Sequence, residues 1–428
     1  MKLNTQETRL DNGLRIVSSH MPHAASVAMG IWVGVGGRYE NHSMQGMSHF
    51  LEHLLFKGTE TRSARAISQE IEGRGGYLNA FTQEEATCYY ARIGAKYVWP
   101  MANVLADMYL HPRFAPSDIE KERGVIIEEI MMYRDQPQQV AEDLLGEMVW
   151  EKHPLGRPLI GTPKHILGYS RDDIAGFKRS KYCPANTVIA LAGCVDHEAA
   201  VRRIAPLFEG LSAVRRPACR AVEPATPQRP FAQIEKKIEQ SHLALALRLF
   251  GREDKRRYAL KLLSVMLGEN MSSRLFQVVR ERHGMAYSVH SSVHLFSDTG
   301  VLSVTAGLDR KKTAKAIALI LKELDAMRRQ EVSARELRRA KDYSIGQLQL
   351  SMESSSSQMM WIGGQILQRG RYEQPEEIIR KLEAVSAADV LRLAREIIRA
   401  SHLSLALVCP EGGAADPGWI KTETARLG

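Results

Sequence analysis

Apolar residues along this chain recur with two different periods, and the changes of period lay out its elements. Alternating apolar positions over residues 25–35, and again over 242–250, predict half-buried strands, each opening its half of the chain. After the first strand, Met44, Met47, Phe50, Leu51, Leu54, Leu55 and Phe56 fall at helical spacing. They predict a buried helix closed by Lys57-Gly58. Each half then has a glycine-containing turn into extended segments: Gly73-Arg74-Gly75-Gly76-Tyr77 in the first, His283-Gly284-Met285-Ala286-Tyr287 in the second. Long charged helices follow from Ser117 and from Ser333. The first opens with Ser117-Asp118-Ile119-Glu120, a capping-box pattern, and is stopped by Pro137. Closing strands are expected over 187–192 and 403–408, preceded by the matching runs Ser170-Arg171-Asp172-Asp173-Ile174 and Ser386-Ala387-Ala388-Asp389-Val390.

The parallel order reads as two copies of one plan. A Pro- and Arg-rich stretch over 213–230 separates them as a linker, giving domains at 1–212 and 231–428. A length of 428 residues agrees with two domains, and contents of 44% hydrophobic and 25% charged residues are ordinary for a soluble globular chain. No apolar run is long enough to span a membrane, and the polar, mixed-charge first fourteen residues resemble neither a signal peptide nor a transit peptide. Cys88, Cys183, Cys194, Cys219 and Cys409 are scattered and odd in number, which predicts free thiols in a reducing compartment. Charge is uneven. Residues 1–212 carry 23 Lys+Arg against 25 Asp+Glu, a net −2, and the rest a net +11. The basic residues are interspersed with acids at helical intervals, the pattern of solvated helix faces and not of a nucleic-acid stripe.

The chemistry sits in His49-Phe50-Leu51-Glu52-His53. On a helix, residues four apart stand one above the other with Cβ atoms about 5–6 Å apart, so both imidazoles can close on one metal ion. Glu52 points to the same side and can reach a water there, the layout of a zinc hydrolase. Two histidines at this spacing can also be a mere polar stripe, but burying them with a glutamate in an apolar helix is costly without a partner, and a cation is one. A hydrolytic zinc usually takes three protein ligands. The helix from Ser117 supplies candidates: Glu122 and Glu129 lie two turns apart on one face, with Glu129 as ligand and Glu122 as a carboxylate behind an imidazole. Glu128 competes with Glu129, because helical phase is not fixed to one residue by periodicity alone.

These motifs closely resemble the pitrilysin/insulinase family of zinc metallopeptidases, the inverzincins. The similarity is strongest to the short-chain branch that holds the mitochondrial processing peptidase β subunit and its bacterial relatives. In that family the last ligand follows the second histidine by 76 positions, as Glu129 follows His53 here, and Glu122 falls on the family's preceding glutamate. The resemblance implies an α+β fold of two homologous domains, each a mostly antiparallel sheet flanked by helices, and one Zn2+ per chain. It implies a clam-like chamber in which zinc-bound water attacks peptides with Glu52 as general base. It further implies a substrate-binding edge strand carrying Asn79, Ala80 and Phe81, and an Arg280/Tyr287 pair that contacts substrate carbonyls and the oxyanion. Because one chain holds both the zinc motif and this pair, a homodimer is expected. Short unfolded peptides or presequence-like segments are the expected substrates, and the cytoplasm the expected compartment, with the mitochondrial matrix as alternative. Two alternative readings are a non-catalytic core subunit of the same fold and the catalytic subunit of a heterodimeric processing peptidase. Glu84, Glu85, Glu120 and Glu128 suggest a preference for basic peptides.

Overall fold

The structure, a computed structural model, describes residues 2–211, 215–223 and 230–428. Its first sheet has the strand order β1-β2-β6-β3-β5-β4, built from β1 (Thr5–Arg9), β2 (Arg15–His20), β3 (Ser26–Val33), β4 (Tyr77–Thr82), β5 (Thr87–Gly94) and β6 (Thr187–Gly193). Its second has the order β7-β11-β8-β10-β9, built from β7 (Phe231–Lys236), β8 (Gln240–Leu249), β9 (Ala286–Leu295), β10 (Gly300–Asp309) and β11 (Leu403–Pro410). Apart from β1 the two sheets repeat one topology. β2 runs parallel to β6 as β7 does to β11, and every other pairing is antiparallel. This supports the duplication expected from sequence, and it fits the α+β class.

The strands expected to open each half are preceded by β1 and β2 in the first and by β7 in the second, and their burial also differs from expectation. β3 is buried on both faces apart from half-exposed Ser26, and so is β8 from Leu243 to Leu247. A half-buried strand needs one solvated face, and here helices cover both. On one face the helix Val98–Leu110 packs against β3 and β5; on the other the helix Ser355–Arg369 packs against β6 and β3. That second contact is close because Gly30 and Gly363 lack side chains. A Cβ on Gly30 would stand 2.6 Å from Met359 Sδ, and one on Gly363 2.3 Å from Trp32 Nε1.

The Ser355–Arg369 helix lies far along the chain, so the contiguous domains 1–212 and 231–428 give way to an exchange. One compact unit comprises Met1–Ile130, Arg157–Arg220 and Leu348–Glu376; the other comprises Met131–Gly156, Ala221–Gln347 and Glu377–Gly428. Each sheet needs a helix over its second face, and each takes it from the other half of the sequence. In the first unit Met359, Ile362, Ile366 and Leu367 bury against Val17, Trp32, Val188 and Ala190. In the second, the helix Pro137–Val149 brings Ala141, Leu145 and Met148 against Ala244, Ala246, Ala406 and Val408. Part of the expected linker, at 213–214 and 224–229, lies outside the described residues.

The runs at Ser170 and Ser386 both form capping boxes, each serine accepting from the backbone of its Asp173 or Asp389 partner. Ser117 does not cap its helix, which starts one residue earlier at Pro116 and runs to Arg134. Proline at the first turn loses no helical hydrogen bond, so the helix begins there and Ser117 falls inside it.

Candidate active site

The helix carrying the two histidines spans Met47–Leu55. It starts three residues later than Met44 because Gly46 sits at φ +83°, in the left-handed region, where a Cβ would also stand 2.6 Å from the Ile160 carbonyl oxygen. The free N–H groups of the first turn are met by a side chain from just upstream: Glu40 accepts from Gly46 N at 2.8 Å and from Ser48 N at 2.7 Å. Burial pushes the Glu40 carboxyl up to about 7, against the pull of those hydrogen bonds. Met47, Phe50, Leu51, Leu54 and Leu55 anchor one face in the core. The other face is left to His49, Glu52 and His53, all half-buried.

There the structure brings His49, His53 and Glu129 together, one donor atom of each within 4.8 Å of the others. Glu129 Oε2 lies 3.8 Å from His49 Nε2 and 3.6 Å from His53 Nε2. Tetrahedral zinc with bonds of about 2.0–2.1 Å holds its donors about 3.4 Å apart, so this set fits the ion with small shifts. The competing Glu128 is exposed, because Glu122, Ile126 and Ile130 set the buried face of their helix. Burial, with a contribution from His53, pulls His49 down to about 4, so its ring is neutral and free to bind a cation at neutral pH.

Behind His53 stands Glu122, whose Oε2 lies 3.1 Å from His53 Nδ1 while its Oε1 lies 2.7 Å from Lys57 Nζ. Burial pushes Glu122 up, but the bonds from His53 and Lys57 outweigh it and hold the carboxyl below its ordinary value. An ionised carboxylate only accepts, so the His53 proton resides on Nδ1 and Nε2 keeps its lone pair toward Glu129. His49 Nδ1 is buried without such a partner among the described residues. Glu52 is held from another direction: Thr82 Oγ1 donates to its Oε2 at 2.5 Å. Burial raises the Glu52 carboxyl and the nearby Glu129 adds to this, while Thr82 and His53 oppose it.

Thr82 ends β4, which lies at the sheet edge and among the described residues pairs with β5 alone, from Tyr77↔Arg92 to Thr82↔Thr87. Alternation puts Leu78, Ala80 and Thr82 on the face of the Met47–Leu55 helix, and Tyr77, Asn79 and Phe81 on the other. Ala80 N is taken by Asn79 Oδ1 at 2.8 Å, and Asn79 Nδ2 donates to Tyr77 Oη at 2.5 Å. Phe81 is occupied in packing, edge-on to Trp32 with ring centroids 5.5 Å apart, and so lies away from the metal cluster.

The second unit has no matching metal cluster among the described residues. The pair singled out there does meet. Arg280, in a helical turn over Phe276–Arg282, places its guanidinium 5.8 Å from the ring of Tyr287, which is 79% exposed on the edge strand β9. Of the acidic residues offered for basic substrates, Glu85 is engaged with Arg38 and Glu120 with Arg123.

Three contributors escaped the sequence reading. Lys57, four beyond His53, and Thr82, two beyond Ala80, carried a periodic signal; Glu40 carried none.

The profile of the insulinase family (peptidase family M16) matches residues 15–163, and that of the peptidase M16 inactive domain matches 168–343, the part without metal ligands. The zinc protease YmxG of Bacillus subtilis is 36% identical over 401 residues, covering 94% of this chain and 97% of that protein. A zinc protease of Mycobacterium tuberculosis is 37% identical over 413 residues, covering 96% and 94%. Among solved structures, a protease from Helicobacter pylori superposes with a TM-score of 0.87 at 22% identity, over 96% of this chain and 100% of that one, which speaks for the fold. Extensive likeness to zinc proteases and a donor cluster that fits the ion lead to one assignment: the chain is a zinc metallopeptidase and belongs to the insulinase family, peptidase family M16.

Proposed function

We propose that this enzyme is an endopeptidase that hydrolyses short unfolded peptides laid as an added strand on β4. His49, His53 and Glu129 hold the zinc, and Glu52 is the general base. The observation that carries this reading is the placement of a half-buried carboxylate on the same helix face as the two imidazoles, one oxygen tied to Thr82. Zinc bound at such a site lowers the pKa of water to about 7 and polarises a carbonyl.

The protein's own groups do the rest. Thr82 fixes Oε2 of Glu52 and leaves Oε1 to take a proton from water and pass it to the leaving amine nitrogen, a role that contributes about 10²–10⁴-fold. The raised affinity of Glu52 for protons, caused by burial, suits both halves of that transfer. Glu122 keeps the proton of His53 on Nδ1. A substrate strand pairs with the backbone of Ala80 once Asn79 releases its N–H, and Asn79 then bonds the substrate. Arg280 and Tyr287 serve as donors to substrate carbonyls and the oxyanion. Since no second kind of subunit is needed to supply either set, the working form is a homodimer, which light scattering would test.

The direct experiment digests a mixed pool of unfolded peptides of about 10–30 residues with wild-type protein and with Glu52→Gln. Cleavage by wild type alone, with zinc content and folding equal in both, is the expected result. Substantial turnover by Glu52→Gln would remove Glu52 as base.

A further inference from the structure

A cavity of about 700 Å³ opens beside β4 on the face turned away from the metal cluster. Its walls include Tyr77 of β4, Tyr90 and Arg92 of β5, Met352 in the turn before the Ser355–Arg369 helix, and Met360 and Trp361 on that helix. All belong to one compact unit. We propose that this cavity is a specificity subsite that takes a large apolar side chain of a peptide paired on β4. The proposal rests on the reading of β4 as the substrate edge.

Three observations carry it. The first is register. Side chains opposite one another in an antiparallel pair share a face, so Tyr77↔Arg92 and Asn79↔Tyr90 build one wall together. A strand added to the free edge continues the same alternation, and its residues point in turn to the metal face and to this cavity. The second is distance. Thr82 touches Glu52, and Tyr77 lies five residues back along β4, about 17 Å at about 3.3 Å per residue. The peptide residue over the cavity therefore stands about three to five positions from the cut bond. The third is chemistry. The walls are three aromatic rings and two thioethers with three small serines, one guanidinium and no carboxylate, a mostly apolar lining that selects against a cationic side chain. Methionine thioethers adapt to apolar groups of different shape, and Arg92 can lie over an aromatic ring. The expected occupants are Phe, Leu, Met or Trp.

The cavity is also tied to the strand edge. Tyr77, its wall, accepts from Asn79 Nδ2 at 2.5 Å, and Asn79 holds the Ala80 N–H that a substrate must use. A side chain that shifts the Tyr77 ring therefore helps Asn79 to let go.

The test maps cleavage sites in a randomised peptide library for wild type, for Met360→Ala, which removes a wall, and for Ser357→Trp, which fills the cavity. The two changes are opposite in kind, so misfolding of one leaves the other informative. Wild type should favour large apolar residues by about tenfold or more at one position about three to five from the cut. Either variant should flatten that preference and leave the residues flanking the cut unchanged. Cleavage without the preference, or with the preference intact in both variants, overturns the subsite and leaves the peptidase reading standing. Should wild type cut nothing, binding of a Phe peptide and its Ala counterpart to the same proteins decides. Selectivity lost in Ser357→Trp upholds the cavity, and equal binding to wild type overturns it.

Discussion

Replacing Glu122 by Gln should weaken zinc binding by about 10–100-fold while leaving the fold intact. The side chain is 5% exposed, and its carboxylate takes two charge-assisted contacts, from His53 at 3.1 Å and from Lys57 at 2.7 Å. A hydrogen bond to a charged group contributes about 1.5–3 kcal/mol and a neutral one about 0.5–1.5, so the amide retains part of the His53 bond and loses about 1–1.5 kcal/mol there. The amide NH2 then faces the Lys57 ammonium, donor against donor, and must rotate or displace it. Rotation turns the NH2 toward His53 Nδ1, which favours the wrong tautomer and takes the lone pair from Nε2. The two costs together reach about 1.4–2.7 kcal/mol, the stated range in affinity. Lys57→Met should cost far less, because its side chain is 36% exposed and such partly solvated pairs contribute about 0.2–1 kcal/mol. Zinc competition against a chromophoric chelator measures both, with near-UV circular dichroism as the control for folding. A zinc affinity for Glu122→Gln within about twofold of wild type would refute the argument. So would a loss in Lys57→Met as large as that in Glu122→Gln, since the effect would then not run through His53.

Other expectations follow from the same contacts. Burial raises the Glu40 carboxyl from 4.5 to about 7, so its contribution to stability is complete below about 4.5 and is lost as pH rises to about 7. The loss amounts to at most ~3 kcal/mol; Tm of wild type should fall over that interval, while Glu40→Gln removes this part of the slope, and equal slopes would sink the idea. Gly363→Ala should lower Tm despite the helix propensity of Ala, because its Cβ would stand 2.3 Å from Trp32 Nε1 and overpacking costs about 1–3 kcal/mol. Gly364→Ala, whose Cβ would sit 3.6 Å from the same indole, should be neutral or stabilising by about 0.4–1 kcal/mol; a reversed order would contradict the packing account. Tyr287→Phe should reduce kcat less than Glu52→Gln does, since the phenol is only one of several groups assigned to the oxyanion; a loss of equal depth would overturn that ranking.

What the sequence made legible was what local periodicity encodes. His49, Glu52 and His53 could be placed on one face because a helix fixes that face within a turn, and the repeat of strand, turn and helix in both halves foretold two sheets of one topology. Helical phase is weaker over longer spans: Glu129 and Glu128 were separated first by the family's spacing, and the burial of Glu122, Ile126 and Ile130 gives the physical reason. Contacts that join separate elements had no periodic signature. Nothing near Ser355–Arg369 says that its apolar face will cover β3 and β6, or that Glu40 will reach the first turn of the Met47–Leu55 helix. Strand register decides most. If β4 slipped by one residue against β5, every side chain on it would change face. Thr82 would then leave Glu52, and Tyr77 would leave the cavity. A single alignment, Tyr77↔Arg92 through Thr82↔Thr87, thus sets both the anchor of the proposed base and the wall of the proposed subsite. A change that weakens this pairing should therefore impair turnover and side-chain preference together, although the two lie on opposite faces of the sheet.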